Sequence, residues 1–74
     1  MKHRLDVIIE QDNDGYYAYC PALEGCQSQG QTFEEALRNI QEAADLYWET
    51  LSPAEIKALS NTRVITTALE VAVA

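Results

Sequence analysis

Apolar residues occupy alternate positions at the start of the chain, at Leu5, Val7 and Ile9. A period of two is typical of a half-buried β-strand, so a first strand is predicted over residues 5–9. The next segment, Asp-Asn-Asp-Gly at residues 12–15, favours a tight hairpin turn. The chain is therefore predicted to begin with an antiparallel hairpin, whose second strand is the tyrosine-rich segment that follows this turn.

A loop and a third strand are predicted next. Pro21 removes one donor from the strand ladder, and Gly25 permits a tight reversal of the backbone. Residues 21–25 are therefore expected to connect the second strand to a short third strand over residues 26–29.

The strongest helical pattern follows Thr32. Apolar residues recur there at spacings of three and four, which predicts an amphipathic helix. These residues are Phe33, Ala36, Leu37, Ile40, Ala43, Ala44, Tyr47 and Leu51. Thr32 and Glu35 have the spacing of a capping box, which specifies where the helix begins.

The last third of the chain predicts a short helix and a strand. Ser52 and Pro53 are typical of a helix start, and a helix of about two turns is expected to run to Leu59. Residues 63–74 are rich in Val, Ile, Thr and Leu, which favours a long closing strand. An unpaired strand of this kind invites pairing with another subunit. The predicted fold is α+β, with an antiparallel sheet in the order β-β-β-α-β and a short second helix before the last strand.

The size and composition of the chain indicate one small domain over residues 1–74. At 74 residues and 8.3 kDa there is no room for a second core, and 47% hydrophobic with 23% charged residues is ordinary for a globular protein. A core this small gains stability from a partner subunit. We therefore expect a homo-oligomer, either a dimer or a tetramer.

The charge balance favours a basic protein partner over nucleic acid. Five Lys and Arg residues against twelve Asp and Glu residues give a net charge of −7. Such a surface repels phosphate and attracts cationic proteins. No apolar segment has the length of a membrane span, and no secretory signal is readable after Arg4, so a cytoplasmic location is expected.

Few residues suggest catalytic or metal chemistry. Cys20, Cys26 and His3 are one ligand short of a closed zinc site, so both cysteines are interpreted as reduced core thiols. Asp6 and Glu10 share a strand face and could serve a small metal-dependent nuclease, although no further acids converge on them in an obvious way. No cofactor, metal site or catalytic residue is therefore predicted.

Three segments of the chain carry a resemblance to a known family. They are DNDGYYAYCPALEGC at residues 12–26, SQG at residues 28–30 and TFEEALRNIQEA at residues 32–43. This pattern resembles the HicB-like antitoxin family of toxin–antitoxin systems, and the flanking strands extend the likeness to nearly the whole chain. The resemblance implies a partial ribonuclease H-like domain that lacks the catalytic acids.

The resemblance also implies a function. Members of the family bind HicA, a small basic toxin that cleaves messenger RNA, and cover its RNA-binding surface and catalytic histidine. Full-length relatives carry a C-terminal DNA-binding segment, and this chain resembles a short form without one.

We therefore predict a non-enzymatic, antitoxin-like interaction module. The residues expected to bind the partner are exposed acids in the 21–25 loop and on the long helix: Glu24, Glu34, Glu42 and Asp45. One alternative is a self-assembling structural protein without a toxin. The other is the metal-dependent nuclease that would use Asp6 and Glu10.

Overall fold

A three-stranded antiparallel sheet and two helices form the structure, a computed structural model that describes residues 3–74. The elements are β1 (Ile8–Asp12), β2 (Gly15–Tyr19), β3 (Gln27–Gly30), α1 (Phe33–Trp48) and α2 (Pro53–Leu59). The strands lie in the order β1-β2-β3, and α1 packs across one face of the sheet, mainly over β3 and β2. The predicted α+β class with an antiparallel sheet is confirmed.

The strand register decides which side chains face α1. Ile9 pairs with Ala18, and Ala18 pairs in turn with Ser28. Directly paired residues of antiparallel strands point to the same face of the sheet, and Ala18 is fully buried against the helix. The neighbouring pairs, such as Glu10 with Tyr17, must therefore point to the opposite face, which we call the outer face.

The hairpin turn has the chemistry that its sequence predicts. The Asp12 carboxylate accepts a hydrogen bond of 2.8 Å from the backbone N–H of Asp14. Gly15 then has a φ of +137°, which side-chain-bearing residues rarely adopt. A Cβ at Gly15 would also come within 2.8 Å of the Gly30 carbonyl oxygen. This position therefore requires glycine for two reasons.

Side-chain caps define where both helices begin. The Thr32 hydroxyl accepts from the backbone N–H of Glu35 at 3.0 Å, as predicted. The Glu35 carboxylate, however, accepts from the N–H of Gln31 instead of that of Thr32. At α2, Ser52 and Glu55 form a complete capping box, and the backbone hydrogen bond from Ser52 lowers the pKa of Glu55. Each cap satisfies donors that a helix start leaves free.

The core lies between the sheet and α1, and small residues bring the two layers close together. Ala18 and Ala36 are fully buried and Ile40 is 1% exposed. A Cβ added to Gly30 would lie 2.6 Å from the Ala36 nitrogen, so β3 and the first turn of α1 nearly touch. Asn39 reinforces this approach by donating from its side chain to the Gln29 carbonyl oxygen at 2.8 Å.

The two cysteines belong to this core. Both are buried and free, as predicted. The backbone N–H of Cys20 donates to the Cys26 carbonyl at 3.0 Å, which closes the 21–25 loop. Burial, with a smaller contribution from Cys26, raises the pKa of Cys20 from 9.0 to about 11. The Cys20 thiol is therefore protonated and unreactive near neutral pH.

One element and several boundaries differ from the sequence prediction. β3 runs over Gln27–Gly30 instead of residues 26–29, and β1 ends at Asp12 instead of Ile9. β1 begins at Ile8 instead of Leu5, although Leu5 still packs against the core. Helix α1 ends at Trp48, before Leu51. The closing strand predicted for residues 63–74 does not form. Within residues 3–74, no strand follows α2. A β-favouring sequence needs a neighbour for its ladder, whereas the N–H of Val64 donates to the Asp6 side chain, at 3.3 Å, and not to a strand backbone. The ribonuclease H-like arrangement therefore stays a prediction.

Replacing Ile40 by Ala tests the core. Ile40→Ala should lower the free energy of unfolding by about 2–5 kcal/mol, because it leaves a cavity under α1. Leu46→Ala is the matched control, since Leu46 lies on the same helix but is 66% exposed, and its loss should stay within about 0.5 kcal/mol. Urea denaturation measures both. Equal losses in the two variants would contradict the assigned core.

Alkylation tests the burial of the thiols. In the folded chain at pH 8.5, iodoacetamide should modify Cys20 about a hundredfold more slowly than in denaturant, because a two-unit rise in pKa lowers the thiolate fraction by about that factor. A raised folded pKa favours the protonated thiol. The shifted pKa of Cys20 therefore adds to the free energy of unfolding in full below pH 9, and this contribution is lost as the pH rises through 11. Mass spectrometry measures the modification, and equal rates in native buffer and denaturant would contradict the burial.

Candidate functional site

The distribution of charge is the first functional feature of the surface. Among residues 3–74, the pair between Arg4 and Asp6, at 3.3 Å, is the one ion pair. Twelve acids in the chain face only five Lys and Arg residues, so most carboxylates in the described part of the chain have no cation beside them. Their field is available to attract a cationic partner.

Three of the four predicted site residues share one face of α1. Glu34, Glu42 and Asp45 are all exposed, and their spacings of eight and three residues place them on the side of the helix opposite Ile40. We call these three residues the α1 acidic stripe. Arg38 and Glu49 lie on the same side by the same spacing, so this side of the helix carries one cation among four acids.

The fourth predicted residue, Glu24, lies in the 21–25 loop. It is exposed, whereas its neighbour Leu23 is buried in the core and donates from its backbone N–H to the Cys20 carbonyl at 3.0 Å. The loop therefore holds Glu24 outward on an anchored backbone. No described contact links Glu24 to the α1 acidic stripe, so the structure does not bring all four predicted residues together.

A second acidic surface was missed by the sequence analysis. The hairpin end of the sheet and the start of α1 enclose an open groove of about 730 Å³, whose acidic lining residues are Glu10, Asp12, Asp14 and Glu35. The strand register and the cap at Gln31 bring these acids together. The first three acids had been considered only for the turn and for the nuclease alternative, and Glu35 only for its cap. We call this surface the hairpin groove.

The outer face of the sheet adds two aromatic rings beside this groove. The rings of Tyr17 and Tyr19 lie 5.5 Å apart, and their hydroxyls donate to Gln27 and, at 3.4 Å, to Glu10. Partial burial, and then the Glu10 charge, raise the pKa of Tyr19. Tyr16, by contrast, packs against the core. Aromatic rings beside a carboxylate can receive an arginine or lysine side chain.

The residues of the nuclease alternative are engaged in other contacts. Asp6 pairs with Arg4 and accepts from the N–H of Val64, while Glu10 accepts from Tyr19. Within residues 3–74, no group of three or more His, Cys, Asp or Glu side chains is placed to hold a metal ion. In the described residues, Asp6 and Glu10 therefore do not belong to a cluster of potential metal ligands of the kind that the nuclease alternative requires.

One apolar groove runs between residues 3–7 and α1. It has a volume of about 600 Å³, and its apolar lining is formed by Leu5, Val7, Leu37, Ile40, Ala44 and Trp48. The His3 ring lies 5.0 Å from that of Trp48 at one end. We call it the α1 groove. In the described part of the chain, neither helix has the length and apolarity needed to cross a bilayer.

Similar proteins occur in bacteria and archaea. A UPF0150 protein of Helicobacter pylori is 44% identical over 70 residues, which cover 95% of this chain and 97% of that protein. A UPF0150 protein of Synechocystis is 54% identical over 50 residues, which cover 66% of this chain and 63% of the relative. One from Thermoplasma acidophilum is 56% identical over 49 residues, which cover 65% and 71% of the two chains.

A family match extends over most of the chain. Residues 5–71 match the family described as the HicB-like antitoxin of bacterial toxin–antitoxin systems. The matched region contains all three strands, both helices and the acidic surfaces described above. The chain therefore belongs to the HicB-like antitoxin family.

Proposed function

We propose that this chain is a non-enzymatic antitoxin that binds and neutralises a small, basic, RNA-cleaving toxin of the HicA type. The observation that carries the proposal is the family match over residues 5–71. The excess of exposed carboxylates supports it, because a toxin that binds RNA must present a cationic surface to phosphate. An acidic protein can occupy that same surface and so exclude the RNA.

The proposed contact surface is the α1 acidic stripe together with Glu24. Its acids are exposed, they belong to anchored elements, and few cations compete for them. The hairpin groove is the competing surface, since it combines acids with the exposed ring of Tyr17. Both surfaces fit a cationic partner, and the experiments below distinguish them.

Two further properties belong to this proposal. The antitoxin is expected to act in the cytoplasm, because a toxin that cleaves messenger RNA must be met where that RNA is. It is also expected to act as a homo-oligomer, a dimer or a tetramer, because its core is small and residues 65–74 are fully exposed. A self-assembling protein without a toxin is the second candidate function, and the same exposed segment favours it.

Charge reversal tests the proposed contact surface. Lysine at Glu24, Glu34, Glu42 and Asp45 together should weaken binding of a HicA-type toxin about ten- to a hundredfold, because several weak attractions become repulsions. Binding by the unmodified chain should also weaken steeply with salt, since charges are screened over about 8 Å at 0.15 M. Isothermal titration with the purified toxin measures both effects. Unchanged affinity and salt dependence would show that the toxin is held elsewhere.

Matched pairs separate contact from overall charge. Reversing Glu42 and Asp45 changes the net charge from −7 to −3, and reversing Glu10 and Asp14 makes the same change. Long-range attraction is therefore weakened equally in the two variants. A greater loss of affinity in the Glu42 and Asp45 variant would indicate that the toxin binds at the α1 acidic stripe. A greater loss in the Glu10 and Asp14 variant would indicate that it binds at the hairpin groove.

RNA cleavage assays test the non-enzymatic role. The purified chain should leave messenger RNA intact in the presence of magnesium or manganese, and a stoichiometric amount of it should stop cleavage by the toxin. We expect this because Asp6 and Glu10 accept hydrogen bonds from different neighbours, Asp6 from the N–H of Val64 and Glu10 from the hydroxyl of Tyr19. Metal-dependent cleavage that disappears in Asp6→Asn would establish the nuclease alternative instead.

A further inference from the structure

Residues 65–74 form an exposed apolar segment that the antitoxin role leaves unexplained. Every residue in this segment is exposed. Its large apolar side chains are far from buried, at 73% exposed for Ile65, 79% for Leu69, 76% for Val71 and 93% for Val73. These positions are two or four residues apart, so in an extended chain they line one face. We call this segment the tail.

The tail extends away from the rest of the molecule. The radius of gyration is 14.6 Å and the longest dimension is 50 Å, whereas a compact chain of this length would have a radius of gyration of about 11 Å. An extended segment of ten residues spans about 33 Å, which accounts for the excess. An apolar face of this length that is exposed to water is typical of a surface that binds another protein.

The same chain has a groove of matching chemistry. The α1 groove is floored mainly by apolar residues, and its polar lining is His3, Arg4, Gln41 and Asp45. Leu37 in this groove is 46% exposed although it belongs to the helix that packs on the sheet. The groove runs along residues 3–7, which precede β1 and do not pair with a neighbouring strand. Beside it, β1 is an edge strand with one side unpaired in the described chain. An added strand could therefore bury its apolar face in the groove and pair its backbone along this edge.

We propose that the tail of one copy docks in the α1 groove of a second copy, and that the exchange is reciprocal. In a single chain the tail and the α1 groove are both exposed. In a two-fold symmetric dimer, each tail would cover the groove of the other copy. A cationic toxin does not fit the apolar floor of the groove, so a second copy is the better match.

The size of the contact agrees with a stable dimer. The tail has ten residues and the α1 groove is lined by ten, so each copy would contribute about twenty residues to the interface. Stable interfaces use about 20–30 residues on each side. The inference deepens the self-association part of the proposed function. Its test uses no toxin, although Asp45 of the α1 acidic stripe also lines the α1 groove.

Tail variants provide the first test. Sedimentation equilibrium should give a dimer for the full chain at micromolar concentration and a monomer after deletion of residues 65–74. Leu69→Asp with Val71→Asp should raise the dissociation constant of the dimer at least about a hundredfold, because both carboxylates would enter an apolar groove. Ala68→Asp with Ala72→Asp is the matched control, since it adds the same charge to the opposite face of the tail.

Isotope mixing distinguishes exchange from closure within one chain. A photo-reactive amino acid is placed at Leu69 in nitrogen-15-labelled chains, which are then unfolded and refolded with unlabelled chains. Cross-linked peptides should join a labelled tail to unlabelled residues 37–48 about half of the time. Circular dichroism checks that each variant retains its fold, which is expected because the tail makes no core contact.

Three outcomes would overturn the exchange. They are a monomeric full chain, a dimer that survives Leu69→Asp with Val71→Asp, and cross-links that always join peptides of the same isotope. Toxin binding does not enter these measurements. A chain that exchanges tails but binds no toxin would refute the proposed function and leave the exchange intact.

Discussion

The close approach between β3 and the first turn of α1 determines the rest of the structure. It depends on Gly30, whose missing side chain lets the Ala36 backbone come within contact distance. Ala18 on the middle strand and Ala36 on the helix are both fully buried. With so little volume between the layers, Ile40 and Leu23 are the large aliphatic side chains that are almost completely buried within residues 3–74, at 1% and 2% exposed. The short loop closed by Cys20 and Cys26 leads into β3 and so fixes where this approach occurs.

This packing also determines which surfaces remain for partners. Because α1 lies mainly over β3 and β2, its contact with β1 is slight, and the α1 groove opens on that side. The exposed side of the helix carries the α1 acidic stripe, whose Asp45 also borders the α1 groove, and the uncovered face of the sheet carries Tyr17 and Tyr19. A single small core thus produces one apolar and two acidic surfaces, and the acids can remain on the surface because none is needed for the core.

Local chemistry made much of the fold predictable from the sequence. The turn at Asp12, the caps at Thr32 and Ser52 and the spacing of Ala36, Ile40 and Ala44 each depend on neighbours within a few residues, and all are found in the structure. The hairpin groove could not be predicted in the same way, because it joins a strand end to a helix start about twenty residues away in sequence. Only the pairing register brings Glu10 and Glu35 to one surface.

The tail shows the limit of propensity as a guide to structure. Its β-branched residues favour an extended backbone, but a strand also needs a neighbour to complete its hydrogen bonds. Within residues 3–74 this segment pairs with no strand, and the N–H of Val64 donates to the Asp6 side chain instead of to the backbone of a neighbouring strand. The proposed exchange would give residues 65–74 such a neighbour and cover their apolar face. The alternation of Ile65, Leu69 and Val71 suits a strand with one covered face, and in the proposed exchange the groove of the second copy covers that face.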